Sequence, residues 1–425
     1  MPVLWRTKRD LTREQQWAQG PIDLPFLMLT MLLLGIGLVM LFSASSYVAG
    51  MYNKTNHDPM YYFKRQAFFA ALGVVVMYVV SRIDYQHMRW MGIGALGLAI
   101  VLLVAVKVLP SPLAITLNGC KRWLNLGITT FQPSEIAKIA VVIFFSASLS
   151  KRPVAQVRMK EISKHRPQRK YKETNMSYFL RVLQWLGAKT GFVELVPYLG
   201  VLLLIAGLLM LEPHMSATLL IFAAAAAILF TAGIHWLYFV VGISVAGVGG
   251  LGFIMLTGYN SGRLAVWKDP WSDPLGKGFQ IIQSLYAVSS GGVSGLGFGL
   301  SRQKYMYLPE NMNDYIFAVV CEELGLIGAG LIVILFALLV LRGYWLALHA
   351  RDRFGSLMVV GVITLMAVQV AMNIAVVTNL IPSTGISLPF FSYGGTALVI
   401  QLAEMGLVLA VSRQIEGPRR RESDQ

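Results

Sequence analysis

The amino-acid sequence predicts an all-α integral membrane protein of about ten transmembrane helices, with a large extracytoplasmic loop between helices seven and eight. Three observations carry that expectation. The 425-residue chain is 56% hydrophobic and only 13% charged, with a mean hydropathy of +0.61. Mostly apolar runs of about 18 residues or more recur along it, and lipid leaves the backbone of such runs no partner but its own helix. Its Lys and Arg gather in alternate connections.

The predicted spans cover roughly 25–49, 61–82, 91–109, 134–150, 193–211, 214–232, 235–257, 314–341, 355–381 and 389–412, as one polytopic domain over 1–425. The first run, Pro25 to Ala49, is too long for a signal-peptide core and lacks a small-residue cleavage site, so it should remain as an anchor. Helices five, six and seven are tightly joined, with Glu212-Pro213-His214 and Gly233-Ile234 as turns. Small residues such as Ala223 to Ala227 and the glycines within 242–252 suit close helix approach.

Charge sets the orientation. Arg6, Lys8, Arg9 and Arg13 precede the first span, Arg82 and Arg89 flank the next inner turn, and eleven Lys or Arg fall between Lys151 and Lys189. Arg342, Arg351, Arg353, Arg413 and Arg419 to Arg421 complete the set. The positive-inside rule then makes the N-terminus (1–24), the basic loop 151–190 and the tail 414–425 cytoplasmic, and places 259–313 outside. Distributed this way, the net charge of +15 reads as topology and excludes nucleic acid as the partner. The basic loop, ending near Tyr178, Phe179, Val182 and Trp185, is expected against anionic headgroups, with partner docking as the other reading. Cys120 and Cys321 are expected as buried thiols.

The stretch from Thr257 to Leu324 is the least membrane-like. It is polar and Gly-rich, yet holds Trp267, Trp271, Phe279, Tyr305 and Tyr307, which argue for order and hence for function. Within KDPWSDPLGKG, Asp269 and Asp273 each precede Pro and so are either turn formers or a general base, with Arg263, Lys268 and Lys277 near enough to bind phosphate. Downstream, LPENMNDYIFAVVCEELG offers Asn313 or Asp314 as a helix cap. Glu322 and Glu323 lie roughly 12 Å deeper at 1.5 Å per residue, where a carboxylate must pair with a base or line a wet cavity.

Two further patches flank predicted helices. In NGCKRWLNLGITTFQPSEIAK, Pro133 suits the first helical turn, Glu135 its positive end, and Lys138 lies one turn on. This is a helix start with an internal ion pair, or a headgroup site formed by Arg122 and Lys138 with Trp123 as interfacial anchor. In NLIPSTGISLPFFSYGGTAL, Pro382, Gly385, Pro389, Gly394 and Gly395 break regular helix at membrane depth, either as a tight turn or as the lining of a groove. Six scattered His and two Cys give no metal-ligand spacing, and no phosphate-binding glycine loop follows a strand.

These blocks together, KRWLNLG with FQPSEIAK, DPLGKGFQIIQSLYAVSSGG, YLPENMNDYIFAVVCEELG and IPSTGISLPFFSYGG, resemble the SEDS family of bacterial cell-envelope proteins, which includes RodA, FtsW and SpoVE. The resemblance runs along nearly the whole chain and implies a peptidoglycan glycosyltransferase of the cytoplasmic membrane that polymerises lipid II, serving division, elongation or sporulation. It implies Asp273 as the catalytic loop aspartate and ties Arg122, Gln132, Glu135, Lys138, Glu310, Ser392, Tyr393, Gly394 and Gly395 to activity; with Trp123, Arg263 and Lys277 from the residue reading above, these are the expected substrate-binding residues. In that chemistry the acceptor is a 4-hydroxyl and the leaving group an α-linked polyprenyl pyrophosphate, so one direct displacement inverts C1 and gives a β-1,4 bond. A divalent cation, Mg or Mn, is a further candidate for stabilising the leaving group. The expected partners are lipid II, the nascent lipid-linked glycan, a class B penicillin-binding protein acting as transpeptidase, and other divisome or elongasome membrane proteins. A lipid II flippase and a non-enzymatic scaffold are the competing classes. Where many members carry QPDLGT at the start of helix six, this chain has Glu212-Pro213-His214-Met215-Ser216-Ala217, which puts a carboxylate role at the third position in doubt.

Overall fold

A computed structural model describes residues 20–110, 113–117, 120–125, 127, 129–151, 192–244, 247 and 261–415. In chain order they form α1 (Leu24–Met51), α2 (Tyr61–Arg82), α3 (Met88–Val108), β1 (Ala114–Leu117), β2 (Cys120–Asn125), β3 (Thr130–Phe131), α4 (Pro133–Ser150), α5 (Phe192–Leu211), α6 (Met215–Thr231) and a helix α7 over 236–244. There follow α8 (Ser261–Lys268), α9 (Phe279–Gly291), α10 (Ile316–His349), α11 (Arg353–Val377) and α12 (Gly395–Ser412). Seven of these, α1 to α4 and α10 to α12, are long and apolar enough to cross a membrane, and α5 and α6 are shorter apolar helices. The chain is a multi-pass membrane protein. The rest of the seventh predicted span, the basic loop after Lys151 and nearly all of both terminal segments lie outside the described residues.

Helix α11 is the hub. It is buried without interruption from Phe354 to Met366 and packs against α4, α6, α10 and α12, as a helix apolar on every side requires. α2 lies along α12, α3 along α4, and α1 joins α2 to α10. At the end away from the sheet, carboxylates fasten helix starts. Asp23 caps α1 through Phe26 N (3.0 Å) and also takes Arg342 of α10 at 2.5 Å. Asp352 caps α11 and accepts from Tyr85 Oη (2.6 Å) and Gln86 Nε2 (2.9 Å).

Two features depart from the sequence expectation. Residues 259–313 are not all loop, because α8, a 3₁₀ turn at Pro270–Ser272 and α9 occupy nearly half of the described part. The face of α9 carrying Ile281, Ile282, Ser284 and Ala287 is buried, α9 packs on α10, and Ser284 Oγ donates to Val377 O at 2.8 Å. Nor is the fold wholly helical, since β1, β2 and β3 form a small antiparallel sheet with Leu117 opposite Cys120 and Leu124 opposite Phe131. Asn118-Gly119 between the first two strands, itself outside the described residues, is the sequence signal for a two-residue hairpin.

Helix α10 breaks at Gly325, whose φ is +65°, a conformation open to glycine at little cost. The segment after α9 enters the break. Leu326 N donates to Gly292 O (2.9 Å), Ile327 N to Val293 O (3.1 Å), and Leu296 N and Gly297 N to the carbonyls of Glu322 and Glu323 (3.0 Å each). The interrupted backbone is therefore satisfied by protein. Glu322 and Glu323 complete the joint. Glu322 accepts from Ser301 Oγ (2.5 Å) and Arg302 N (3.0 Å), and Glu323 from Ser43 Oγ (2.6 Å) and the buried Lys304 ammonium (3.4 Å). Both carboxylates are held by the surrounding chain, and Lys304 is a basic partner for Glu323, one of the two settings the sequence allowed. Cys321, just before them, is a buried free thiol.

Candidate functional site

The polar residues left over from these joints converge at the sheet end. α4 begins at Pro133 as predicted, with Glu135 in its first turn. Lys138 Nζ lies 2.8 Å from Glu135 Oε2, an ion pair without a well-directed hydrogen bond at that oxygen. The lysine is only 4% exposed and also donates to Gln369 Oε1 of α11 at 3.5 Å. Glu404, buried on α12, is within electrostatic reach of both charges.

Helix α11 organises the broken stretch between itself and α12. Gln369 Nε2 donates to Ser387 O (3.0 Å), while Asn373 Nδ2, one turn on, donates to Ile386 O (2.6 Å) and Asp314 O (2.8 Å). The SYGG turn is fastened in the same way. Ser392 Oγ donates to Asn313 O (2.6 Å), Tyr393 N to Met312 O (2.8 Å), and Gln66 of α2 donates to Ser392 O and accepts from Gly394 N at 3.2 Å each. A Cβ on Gly395 would collide with the Phe69 ring. Ser392, Tyr393, Gly394 and Gly395 thus join three parts of the chain around Asp314.

Arg122 of β2 spans the gap to the turn between α5 and α6. Its Nε donates to Glu212 O at 2.9 Å and its Nη2 to Pro213 O. Arg122 is also the common electrostatic neighbour of Glu212, His214 and Asp314. Burial pushes the Glu212 carboxyl up to about 7 against the pull of Arg122 and Lys107. Burial, with Arg122 and Lys138 nearby, pushes the His214 imidazole down to about 3, so it is neutral at physiological pH. Asp314 rises to about 6 through burial and the nearby Glu310, against Arg122 and Arg263. Both Glu212 oxygens, His214 Nδ1, Ser134 Oγ, Tyr315 Oη and Thr384 Oγ1 are buried without a hydrogen-bond partner among the described residues.

The sequence-predicted candidates therefore divide. Arg122, Glu135, Lys138 and Arg263 belong to this cluster, as does Glu310, which is exposed at its edge and bonded to Asn313 Nδ2 at 2.5 Å. Trp123 and Gln132 flank it on β2 and at the start of α4. Asp314 does not cap α10, which is preceded by Tyr315 without a side-chain cap. Asp273 is exposed, and its Oδ2 accepts from Lys277 N at 2.9 Å. Asp269 likewise accepts from Trp271 N at 3.1 Å, so both aspartates do form turns. Their segment reaches the site through α8, where Trp267 Nε1 donates to Asn379 O (3.1 Å) and Arg263 to Ser383 O (3.4 Å). Sequence reasoning missed Glu212 and His214, which read as turn residues, although two titratable groups around a proline between apolar helices were the available signal.

Comparison with known proteins agrees with this architecture. A family model described as cell cycle protein, covering FtsW, RodA and SpoVE, matches residues 24–417. The chain is 38% identical to stage V sporulation protein E of Bacillus subtilis strain 168, over 92% of this chain and 97% of that protein. It is 36% identical to a probable peptidoglycan glycosyltransferase FtsW of Geobacter metallireducens, over 93% and 96%. Among solved structures it is similar to one reported as the structural coordination of polymerization and crosslinking by a peptidoglycan synthase complex, with a TM-score of 0.69, 26% identity, and coverage of 92% and 98%. Thermus thermophilus RodA shares the fold with a TM-score of 0.62 at 24% identity, over 95% and 100%. With the match running from the start of α1 to the end of α12, the chain belongs to the FtsW, RodA and SpoVE family.

Proposed function

We propose that this chain is a peptidoglycan glycosyltransferase that polymerises lipid II into β-1,4 glycan at the outer face of the bacterial cytoplasmic membrane. The observation that carries the reading is the gathering of Lys138, Glu135, Arg122, Arg263 and Asp314 at helix ends beside broken backbone. A membrane-bound pyrophosphate and a sugar hydroxyl would meet there. Arg82, Arg89, Lys151, Arg342, Arg351, Arg353 and Arg413 lie at the opposite ends of the helices, which by the positive-inside rule supports a cytoplasmic location for that end and an outer one for the sheet end.

In this reading Arg122, Lys138, Arg263 and Lys277 neutralise the pyrophosphate, whose departure from an α-linked sugar under direct attack gives inversion. Asp273 takes the proton of the attacking hydroxyl, as its place in the DPLGKG block supports, and approaches from the rim of the site rather than its floor. Among the described residues no three His, Cys, Asp or Glu converge closely enough to hold Mg or Mn, so no step is assigned to a metal. A class B penicillin-binding protein is the proposed partner, crosslinking the strands that this chain makes.

Labelled lipid II given to the purified protein in proteoliposomes separates the classes. Polymer supports the enzyme, relocated but unreacted lipid a flippase, and neither a scaffold. Asp273→Asn is expected to stop polymerisation while leaving lipid binding intact.

A further inference from the structure

Carboxylates that hold this fold together are recognisable by their contacts. Asp23, Asp352, Glu322 and Glu323 each accept at least two hydrogen bonds from other parts of the chain. Glu212 is buried like Glu322 and Glu323, at 2% exposure, yet neither of its oxygens has a hydrogen-bond partner among the described residues. Its turn does not depend on that side chain. Arg122 holds the carbonyls of Glu212 and Pro213, Lys107 Nζ donates to Leu211 O at 3.2 Å, and Glu212 N and His214 N both donate to Leu209 O.

We propose that Glu212 is a substrate-binding carboxylate whose oxygens accept hydrogen bonds from hydroxyl or amide N–H groups of a lipid-linked sugar. The unpaired acceptors call for a ligand rich in donors, and the adjoining cations Arg122 of β2 and Lys107 of α3 call for an anion. A sugar carried on a phosphate supplies both. His214 in the same turn, with Nδ1 also without a partner among the described residues, offers a neutral nitrogen two residues on. The inference rests on the lipid-linked substrate proposed above and adds the residue that reads the sugar rather than the phosphate.

Burial costs the carboxylate form in the empty protein, and donors on a ligand offset that cost. Arg122 and Lys107 are the cations that face Glu212, and His214 stays neutral between pH 6 and 8, so over this range Glu212 is the group of the turn that changes charge.

The test is equilibrium binding of fluorescent lipid II, and separately of sugar-free undecaprenyl pyrophosphate, to the full chain in nanodiscs at pH 6 and pH 8. At pH 8, Glu212→Ala should bind lipid II about tenfold more weakly, the scale of a hydrogen bond to a charged group, with undecaprenyl pyrophosphate unaffected. Glu212→Gln, which keeps an acceptor, should stay within about threefold of the parent. Parental affinity for lipid II should weaken from pH 8 to pH 6, and the Gln variant's should not. Equal lipid II affinity in all three proteins would overturn the proposal, leaving water as the carboxylate's sole partner. Equal loss for both lipids would overturn it as damage to the turn. A parent that binds no lipid II removes this inference and the proposed substrate together. Binding with the expected pattern but without polymer supports the inference and removes the polymerase alone.

Discussion

Lys138 Nζ and Glu135 Oε2 lie 2.8 Å apart, one helical turn from each other on α4, with the lysine side chain 4% exposed and the glutamate 13%. Such a pair stabilises little against two apolar residues, but removing one partner strands the other charge at a cost of about 3–5 kcal/mol. Lys138→Met should therefore lower the melting temperature and stop polymerisation. Adding Glu135→Gln should recover most of the stability and none of the activity. Thermal unfolding in detergent with a lipid II polymerisation assay checks both. Recovery of activity in the double variant would show that the lysine serves the fold alone.

Asp269 and Asp273 are four residues apart and each accepts a backbone N–H, so geometry alone does not rank them. Asparagine keeps a carbonyl oxygen for that bond and removes only the charge, so Asn variants separate turn from chemistry. Asp273→Asn should abolish polymer with an unchanged melting temperature, and Asp269→Asn should stay within about threefold of the parent, as expected of a surface turn residue. Product on a gel with matched melting curves decides. Full activity of the Asp273 variant would end its assignment as base.

What the sequence made legible was what short range and hydropathy determine. Pro133 starting α4 and the Glu135–Lys138 pair both follow from spacing within one element. What stayed hidden depends on distant segments meeting. Lys304 pairs with Glu323 only because the chain after α9 folds into the break at Gly325, and Arg122 reaches the Glu212 turn 90 residues away. The sheet was missed because its strands are short and its residues read equally well as a polar loop.

The break in α10 should be intolerant of a side chain. At Gly325 a Cβ would meet the backbone of Val293, Ser294 and Gly295, and the positive φ adds strain of about 1–3 kcal/mol for any other residue. Gly325→Ala is expected to lower expression and melting temperature well beyond the effect of Gly330→Ala, five residues on, where nothing lies within 4 Å of an added Cβ. Comparing the two by fluorescence-detected chromatography on heating tests the threaded joint. Equal stability would mean that the chain after α9 does not occupy the break.

Glu212 gives the protein a pH dependence of predictable sign. Its carboxyl titrates near 7 in the folded chain, raised by burial from an ordinary 4.5. The protonated form is thus the one the fold prefers. The stability this contributes is fully present below about pH 4.5 and is lost as pH rises through 7, a change of at most about 3–4 kcal/mol at about 1.36 kcal/mol per pH unit. Asp314, raised to about 6 from 3.8, adds a loss of the same sign at lower pH, so the measurement is a difference between variant and parent. Glu212→Gln should match the parent near pH 4.5 and melt progressively higher than it from pH 5 to pH 8 in the absence of lipid. A constant offset across that range would place the ionised carboxylate in contact with solvent or with Arg122, and would remove the cost on which its readiness for a ligand depends.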